Sequence, residues 1–188
     1  IFTKSCGWLH VNVVKTKLNG CLIIEPKVFA DGRGFFLETF QAELYAELAG
    51  ITLPFVQDNH SRSSNSVLRG LHYQKTKPQG KLVRVVRGEV YDVALDIRQD
   101  SSTFGQWEGV VLSEENKKQF WVPPGFAHGF LVLSDTADFE YKCTDYYDPA
   151  DEGSILWSDS DLDIPWPIDD PKLSDKDANA NKLVDLKI

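Results

Sequence analysis

The sequence predicts a mainly β protein, an antiparallel double-sheet jelly roll, with one short helix in the N-terminal half and helical structure at the C-terminal end. Three observations carry this prediction. Apolar residues recur with period two, not 3.6, along most of the 188 residues. Turn formers punctuate the runs at Asp31-Gly32, Arg87-Gly88-Glu89, Ser134-Asp135 and Asp148-Pro149. Successive runs are not separated by helices, which argues against a parallel doubly wound sheet and for a sandwich or barrel.

In chain order the strand-like runs are CLIIEPKVF (21–29), RGFFLETF (33–40), PFVQDNHS (54–61), VLRGLHYQ (67–74) and GKLVRVVRG (80–88). EVYDVALDI (89–97), QWEGVVLS (106–113), KQFWVPP (118–124), AHGFLVLS (127–134) and ADFEYKCTDYY (137–147) follow. Two segments read as helices. QAELYAELA (41–49) runs into Gly50, a residue suited to the left-handed turn that ends a helix. LSDKDANANKLVDL (173–186) opens with Ser174 and Asp177 at capping-box spacing, with Asp in place of the usual Glu or Gln. A chain of this length reads as a single domain, 1–188, able to bury roughly 70% of its unfolded surface.

Composition excludes several classes. The formal net charge of −8 disfavours non-specific nucleic-acid binding, which needs a basic surface. No apolar stretch approaches a membrane span, and IFTKSCGWLHVNVV is not a convincing signal peptide, so the expectation is a soluble cytoplasmic protein. Cys6, Cys21 and Cys143 are odd in number and lack C-x-x-C spacing, which argues against a disulfide framework and a zinc site. The absence of Met, together with the mixed opening segment, suggests that residues 1–11 are a non-native or replaced start.

Chemistry concentrates around two histidines. His72 lies in RGLHYQ and His128 in VPPGFAHGF. PPGFAH fits the Pro-x-Gly-x-x-His half of the cupin motif, a small jelly-roll signature that often supplies one metal ligand. The other half needs a His-x-His pair and a Glu, since a metal requires several converging ligands. No second histidine has that spacing near His72, and His60 is twelve residues upstream. The expectation is a cupin scaffold without its metal; taken alone, His128 reads equally as a strand-end histidine bonded to backbone.

A base that takes a proton from carbon needs a partner to fix its tautomer, and a carboxylate on the far ring nitrogen serves. For His72 the candidates are Asp92, Asp96 and Asp177, and the sequence does not choose among them; Asp177 by itself reads first as a helix-cap residue. Strict alternation sends Arg69 and His72 to opposite faces of a strand. A bulge at Gly70 would bring both to one cleft. Lys81, Arg33 and Tyr141 have bland readings as a strand end, a turn neighbour and a core phenol. Together they supply cations for an anionic ligand and a phenolic acid.

Nine blocks in order give a stronger signal: EPKVFADGRGFFLETF, FVQDNHSRS, VLRGLHYQ, GKLVRVVRGEVYDVALDIR, FGQWEGVVLS, WVPPGFAHGF, EYKCTDYYDP, DEGSILW and LSDKD. From about Cys21 to Ala180 the chain resembles the dTDP-4-dehydrorhamnose 3,5-epimerase family. The resemblance implies a cupin jelly roll, a homodimer, no metal or organic cofactor, and the substrate dTDP-4-dehydro-6-deoxy-D-glucose. It implies His72 as base, Asp177 as its partner, Tyr141 as the acid on the opposite face and Lys81 as the cation beside the enolate. It implies substrate contacts from Arg33, Glu38, Gln57, Asn59, Arg69, His128, Glu152 and Lys176, with Phe29 stacked on thymine. Phe29, Arg33 and Glu38 are expected to reach the partner subunit's site. KTKPQ, between Gln74 and Gly80, is slightly shorter than in some relatives, and nothing before Val13 matches the family.

Other readings compete. A 3- or 5-epimerase acting at one carbon would share this fold and dyad; a nucleotide-sugar 3,4-ketoisomerase is more distant. A non-catalytic sugar-nucleotide binding module would keep the arginines and the aromatic stack but lose base or acid. A metal-dependent cupin enzyme is disfavoured by the missing His-x-His.

Overall fold

Alternation of apolar and polar side chains decides which faces meet, and the strands it produces form two facing sheets. The computed structural model of the chain describes residues 11–186; Cys6 and the opening segment apart from Val11 lie outside the described residues. The strands are β1 (Val11–Lys15), β2 (Leu22–Pro26), β3 (Val28–Asp31), β4 (Gly34–Leu37), β5 (Gln57–Ser64), β6 (Leu68–Gln74) and β7 (Lys81–Arg87). They continue as β8 (Glu89–Asp96), β9 (Trp107–Ser113), β10 (Gln119–Val122), β11 (Phe126–Val132), β12 (Thr136–Cys143) and β13 (Glu152–Ser154). One sheet has the order β1-β2-β10-β7-β12-β5, the other β13-β6-β11-β8-β9, and β3-β4 forms a separate hairpin. All the strand pairs are antiparallel.

Alternate residues of the two large sheets interdigitate. Val83, Val85, Phe120 and Phe139 from one meet Val90, Leu112, Phe126 and Phe130 from the other. Phe130 stacks on Phe139 with ring centroids 4.1 Å apart. Complete burial of side chains such as Phe120 and Phe139 stabilises the fold by about 1.5–3 kcal/mol each.

The outer faces are covered by the rest of the chain. Helix α1 (Ala42–Ala49) lays Tyr45 over Ile24, Leu82 and Trp121. The Gln41 side chain accepts from the Leu44 amide at its start, and Gly50 ends it at φ 67°. On the other sheet, Leu71, Tyr73, Val93 and Leu95 pack beneath Ile155, Leu162 and Trp166 of the C-terminal segment. No helix among the described residues is long and apolar enough to cross a membrane.

The expected elements recur with three differences. Strands β1 and β13 were not anticipated, because each is short and half-buried and so lacks a clear apolar alternation. The run at 21–29 breaks at Lys27 into β2 and β3. The helix expected over 173–186 is only one turn, α2 (Asp175–Ala178), followed by a 3-10 turn at Leu183–Asp185. The Asn179 side-chain amide takes the Asp175 carbonyl at 2.7 Å, and the Asn181 carbonyl is taken by the Leu156 amide at 2.8 Å. Those tertiary and side-chain partners outcompete the helix ladder.

Candidate active site

The site grows from an irregularity in β6. Where β11 pairs with β6, His128 faces His72 and Phe130 faces Arg69. Three steps along β6 therefore match two along β11, and the extra residue turns Arg69 and His72 to the same inner face. Gly70 sits in this bulge at φ 131°, and a Cβ there would lie 2.5 Å from the Gly129 Cα. Only glycine fits such an approach.

His72 opens onto a cavity of about 340 Å³ between the sheets, a size suited to a small ligand. Its lining includes Gln57 and Asn59 of β5, Lys81 of β7, Tyr141 of β12, His72 of β6, Glu152 of β13, and Gln79 and Tyr147 from loops. His72 therefore stands on one sheet and Tyr141 on the sheet opposite.

Asp177 reaches His72 from α2. Its carboxylate lies 2.6 Å from the His72 Nε2, and its side chain is 3% exposed. Burial pushes the Asp177 carboxyl up, but the hydrogen bond and charge of His72 outweigh that and hold it below the usual range. Ser174 also caps the Asp177 amide at 3.2 Å, so the residue is a helix-start residue and a histidine partner together. With Nε2 occupied, Nδ1 is the ring atom left to meet a ligand.

The other candidate carboxylates are committed elsewhere. Asp92 pairs with the His128 Nε2 at 2.9 and 3.0 Å, both groups being buried. Asp96 is bound by Arg98, Ser101 and Thr103.

Burial in the cavity pulls the Lys81 ammonium below the usual lysine range, against the opposing charges of Cys143, Glu152 and Asp92. Burial pushes the Tyr141 phenol above its usual range, with Arg69 opposing. The Arg69 charge thus acts on Tyr141 while its Nε donates to Ser63 Oγ at 3.0 Å. Glu152 accepts from Lys176 at 2.7 Å and from the Tyr147 hydroxyl at 3.2 Å. Among the described residues no group of His, Cys, Asp and Glu side chains is arranged to hold a metal ion.

The arrangement suits proton transfer at carbon: an oriented imidazole on one wall, a phenol on the opposite wall, and an ammonium beside them.

Comparison with known proteins gives the family. The model described as dTDP-4-dehydrorhamnose 3,5-epimerase matches residues 15–185. The chain belongs to that epimerase family. A relative of that name from Shigella flexneri is 57% identical over 176 residues, covering 93% of this chain and 97% of the relative. The crystal structure of dTDP-6-deoxy-D-glucose-3,5-epimerase from Legionella pneumophila, in complex with dTDP-4-keto-L-rhamnose, superposes with a TM-score of 0.91. It is 60% identical and covers 93% of this chain and 94% of that chain. A 3′-monoepimerase from Streptomyces bikiniensis, in complex with dTDP-quinovose, is 38% identical, covers 90% and 86%, and has a TM-score of 0.85.

Set beside the expectations for this epimerase family, ten of the residues gather and three do not. His72, Asp177, Tyr141, Lys81, Gln57, Asn59, Glu152 and Lys176 line the cavity or touch a residue that does, the charge of Arg69 acts on Tyr141, and His128 lies across the strand pair from His72. Phe29 and Arg33 belong to the β3–β4 hairpin, and Glu38 follows it; none lines the cavity of its own chain. Arg33 is 91% exposed at the side chain and pairs with Asp31. Gln79 and Asp151 escaped the sequence reading because their loops have no periodicity; Tyr147 closes the strand-like run 137–147, but β12 stops at Cys143 and leaves it in a loop. Asp151 binds the amides of Thr76 and Lys77 at 2.9–3.1 Å and so ties the KTKPQ loop beside Glu152.

Proposed function

We propose that this protein inverts C3 and C5 of dTDP-4-dehydro-6-deoxy-D-glucose, giving dTDP-4-dehydro-L-rhamnose. One observation carries the reading: His72, its Nε2 held by Asp177, and Tyr141 line one cavity from opposite sheets. Both target carbons flank the C4 ketone, so loss of either proton gives an enolate. His72 Nδ1 takes the proton, Lys81 stabilises the enolate oxygen, and Tyr141 returns a proton to the other face. Chemistry of this kind needs only these side chains; full activity with substoichiometric metal in the purified protein would agree with that.

Substrate binding is assigned to Gln57, Asn59, Arg69, His128, Glu152 and Lys176. Phe29, Arg33 and Glu38 act in a homodimer, where the hairpin of one subunit completes the cavity of the other. Phe35 and Phe36, 60% and 66% exposed on that hairpin, support the reading, since such apolar side chains favour a covered face. The free cysteines Cys21 and Cys143 fit a reducing, cytoplasmic setting.

Proton NMR of the substrate in deuterium oxide tests the reaction. Deuterium at both C3 and C5, with a coupled reductase yielding the rhamnose configuration, is the expected result. Deuterium at one carbon would favour the single-site reading, which the Streptomyces bikiniensis monoepimerase keeps open by sharing the fold. Binding without exchange would indicate a binding module.

A further inference from the structure

An enzyme that inverts two carbons with one base must reset that base between them. At the first carbon the C–H bond breaks, its proton goes to His72 Nδ1, and its electron pair moves to the C4 oxygen. The enolate then collapses, taking the Tyr141 hydroxyl proton on its opposite face. The sugar is neutral again, but His72 holds an extra proton and Tyr141 lacks one. Neither can serve the second carbon in that state.

Nε2 of His72 is closed by Asp177, so the surplus proton sits on Nδ1. The nearest carboxylate oxygen to Nδ1 is Glu152 Oε1, 4.0 Å away. The two oxygens of Glu152 differ in kind. Oε2 is held by Lys176 at 2.7 Å and by the Tyr147 hydroxyl at 3.2 Å. Oε1 makes no hydrogen bond among the described residues and points at the imidazole. Lys176 and Tyr147 are both exposed, so the carboxylate joins the cavity to solvent.

We propose that Glu152 is the proton exit of His72. Nδ1–H passes its proton to Oε1 once the 4.0 Å gap closes, as catalytic hydrogen bonds tighten when substrate binds. Glu152 then releases it to water at the cavity mouth, and water reprotonates the Tyr141 phenolate. No proton is gained or lost overall, and no further reactant is needed. Lys176 and Tyr147 are positioning residues that hold Oε2, leaving Oε1 toward the ring. This rests on His72 being the base; it extends Glu152 beyond a substrate contact.

The test is Glu152→Gln followed by single-turnover proton NMR in deuterium oxide at saturating substrate. The first carbon needs no reset, because Tyr141 already carries solvent deuterium. Expected is a second exchange that lags the first by roughly 10²-fold more than in the unmodified protein, the scale of a lost acid–base step, whatever the variant's effect on the first exchange. Increasing formate buffer should restore the second exchange. Tyr147→Phe should give a smaller lag of the same kind. Equal slowing at both carbons without buffer dependence would overturn the proposal and leave Glu152 a substrate contact; so would an unchanged second exchange. His72→Gln is the control. Exchange surviving in it would bring down the base assignment itself, a failure distinct from that of the exit.

Discussion

His72 and His128 are direct cross-strand partners on β6 and β11, yet their Nε2 atoms bond to carboxylates from unrelated parts of the chain. Asp177 of the C-terminal turn takes His72 at 2.6 Å, and Asp92 of β8 takes His128 at 2.9 Å. Two adjacent imidazoles are thus held by different carboxylates. One opens to the cavity and the other is buried, stacked at 6.2 Å on Phe139.

Replacing His72 with Asn should lower turnover by at least roughly 10²–10⁴-fold. Asp177→Asn should also lower turnover while leaving substrate affinity nearly unchanged, because the ring is still present but no longer oriented. Stability gives an independent check. The folded Asp177 carboxyl titrates below its unfolded value of about 3.9, so its stabilising contribution is complete above that value. The contribution is lost as pH falls through the depressed folded value. The stability gap between wild type and Asp177→Asn, followed by urea unfolding, should be constant near neutrality and shrink at pH below about 3.9.

Tyr141→Phe keeps the packing and deletes the proton donor. Deuterium wash-in from the His72 face should persist, while inversion fails for want of a donor opposite. Undiminished double epimerisation would remove Tyr141 from the mechanism.

Lys81 and Tyr141 predict the alkaline limb. Burial lowers the lysine and raises the phenol from their ordinary values, so loss of the ammonium sets in below the ordinary lysine range. The fall in kcat/KM should begin below the ordinary lysine value of about 10.4. Lys81→Arg should move that limb upward, whatever its effect on the maximum, because a guanidinium stays charged. A limb unmoved by this substitution would mean another group sets it.

Phe36→Asp places a charge on the β3–β4 hairpin. A folded monomer with little activity is expected, read by analytical ultracentrifugation beside circular dichroism. A stable, active dimer would show that the hairpin is not the subunit contact.

Gly129→Ala tests the close approach of β11 to β6. The new Cβ would lie 2.7 Å from the Arg69 carbonyl oxygen and 3.0 Å from the Gly70 Cα. Overpacking of this kind costs about 1–3 kcal/mol, and the thermal midpoint should fall by several degrees. Activity should fall more than stability, because the strain lands on the bulge that aims Arg69 and His72.

Much of this molecule could be read in its sequence, for identifiable reasons. The long strands declare themselves because one face of each is in the core, as in β7 and β12. The bulge could be inferred from Gly70 alone, since strict alternation divides Arg69 from His72. The partner of His72 could not be read from the residues themselves. Asp92, Asp96 and Asp177 are all acidic and all buried, and only the fold separates them. The family resemblance chose Asp177. Asp151 lies in a loop, where neither period nor spacing marks it, and Tyr147 lies past Cys143, where β12 stops short of the run that alternation suggests. The tail misled because its helical composition is overruled after one turn: the Asn179 side chain shares the Asp175 carbonyl with its own backbone amide, and the Asn181 carbonyl is taken by Leu156.

The pairing of His72 with Asp177 spans 105 positions in the chain. Closing so long a loop carries an entropic cost that nearer contacts do not, so this pair depends on the sheets already being in place. On the ribosome the sandwich strands through β13 precede Asp177 in order of synthesis. A chain still lacking that residue has every strand of both sheets but no carboxylate on the His72 ring. With His72 as the proposed base, activity would be a late event in the life of the polypeptide, following the docking of the tail rather than the collapse of the strands.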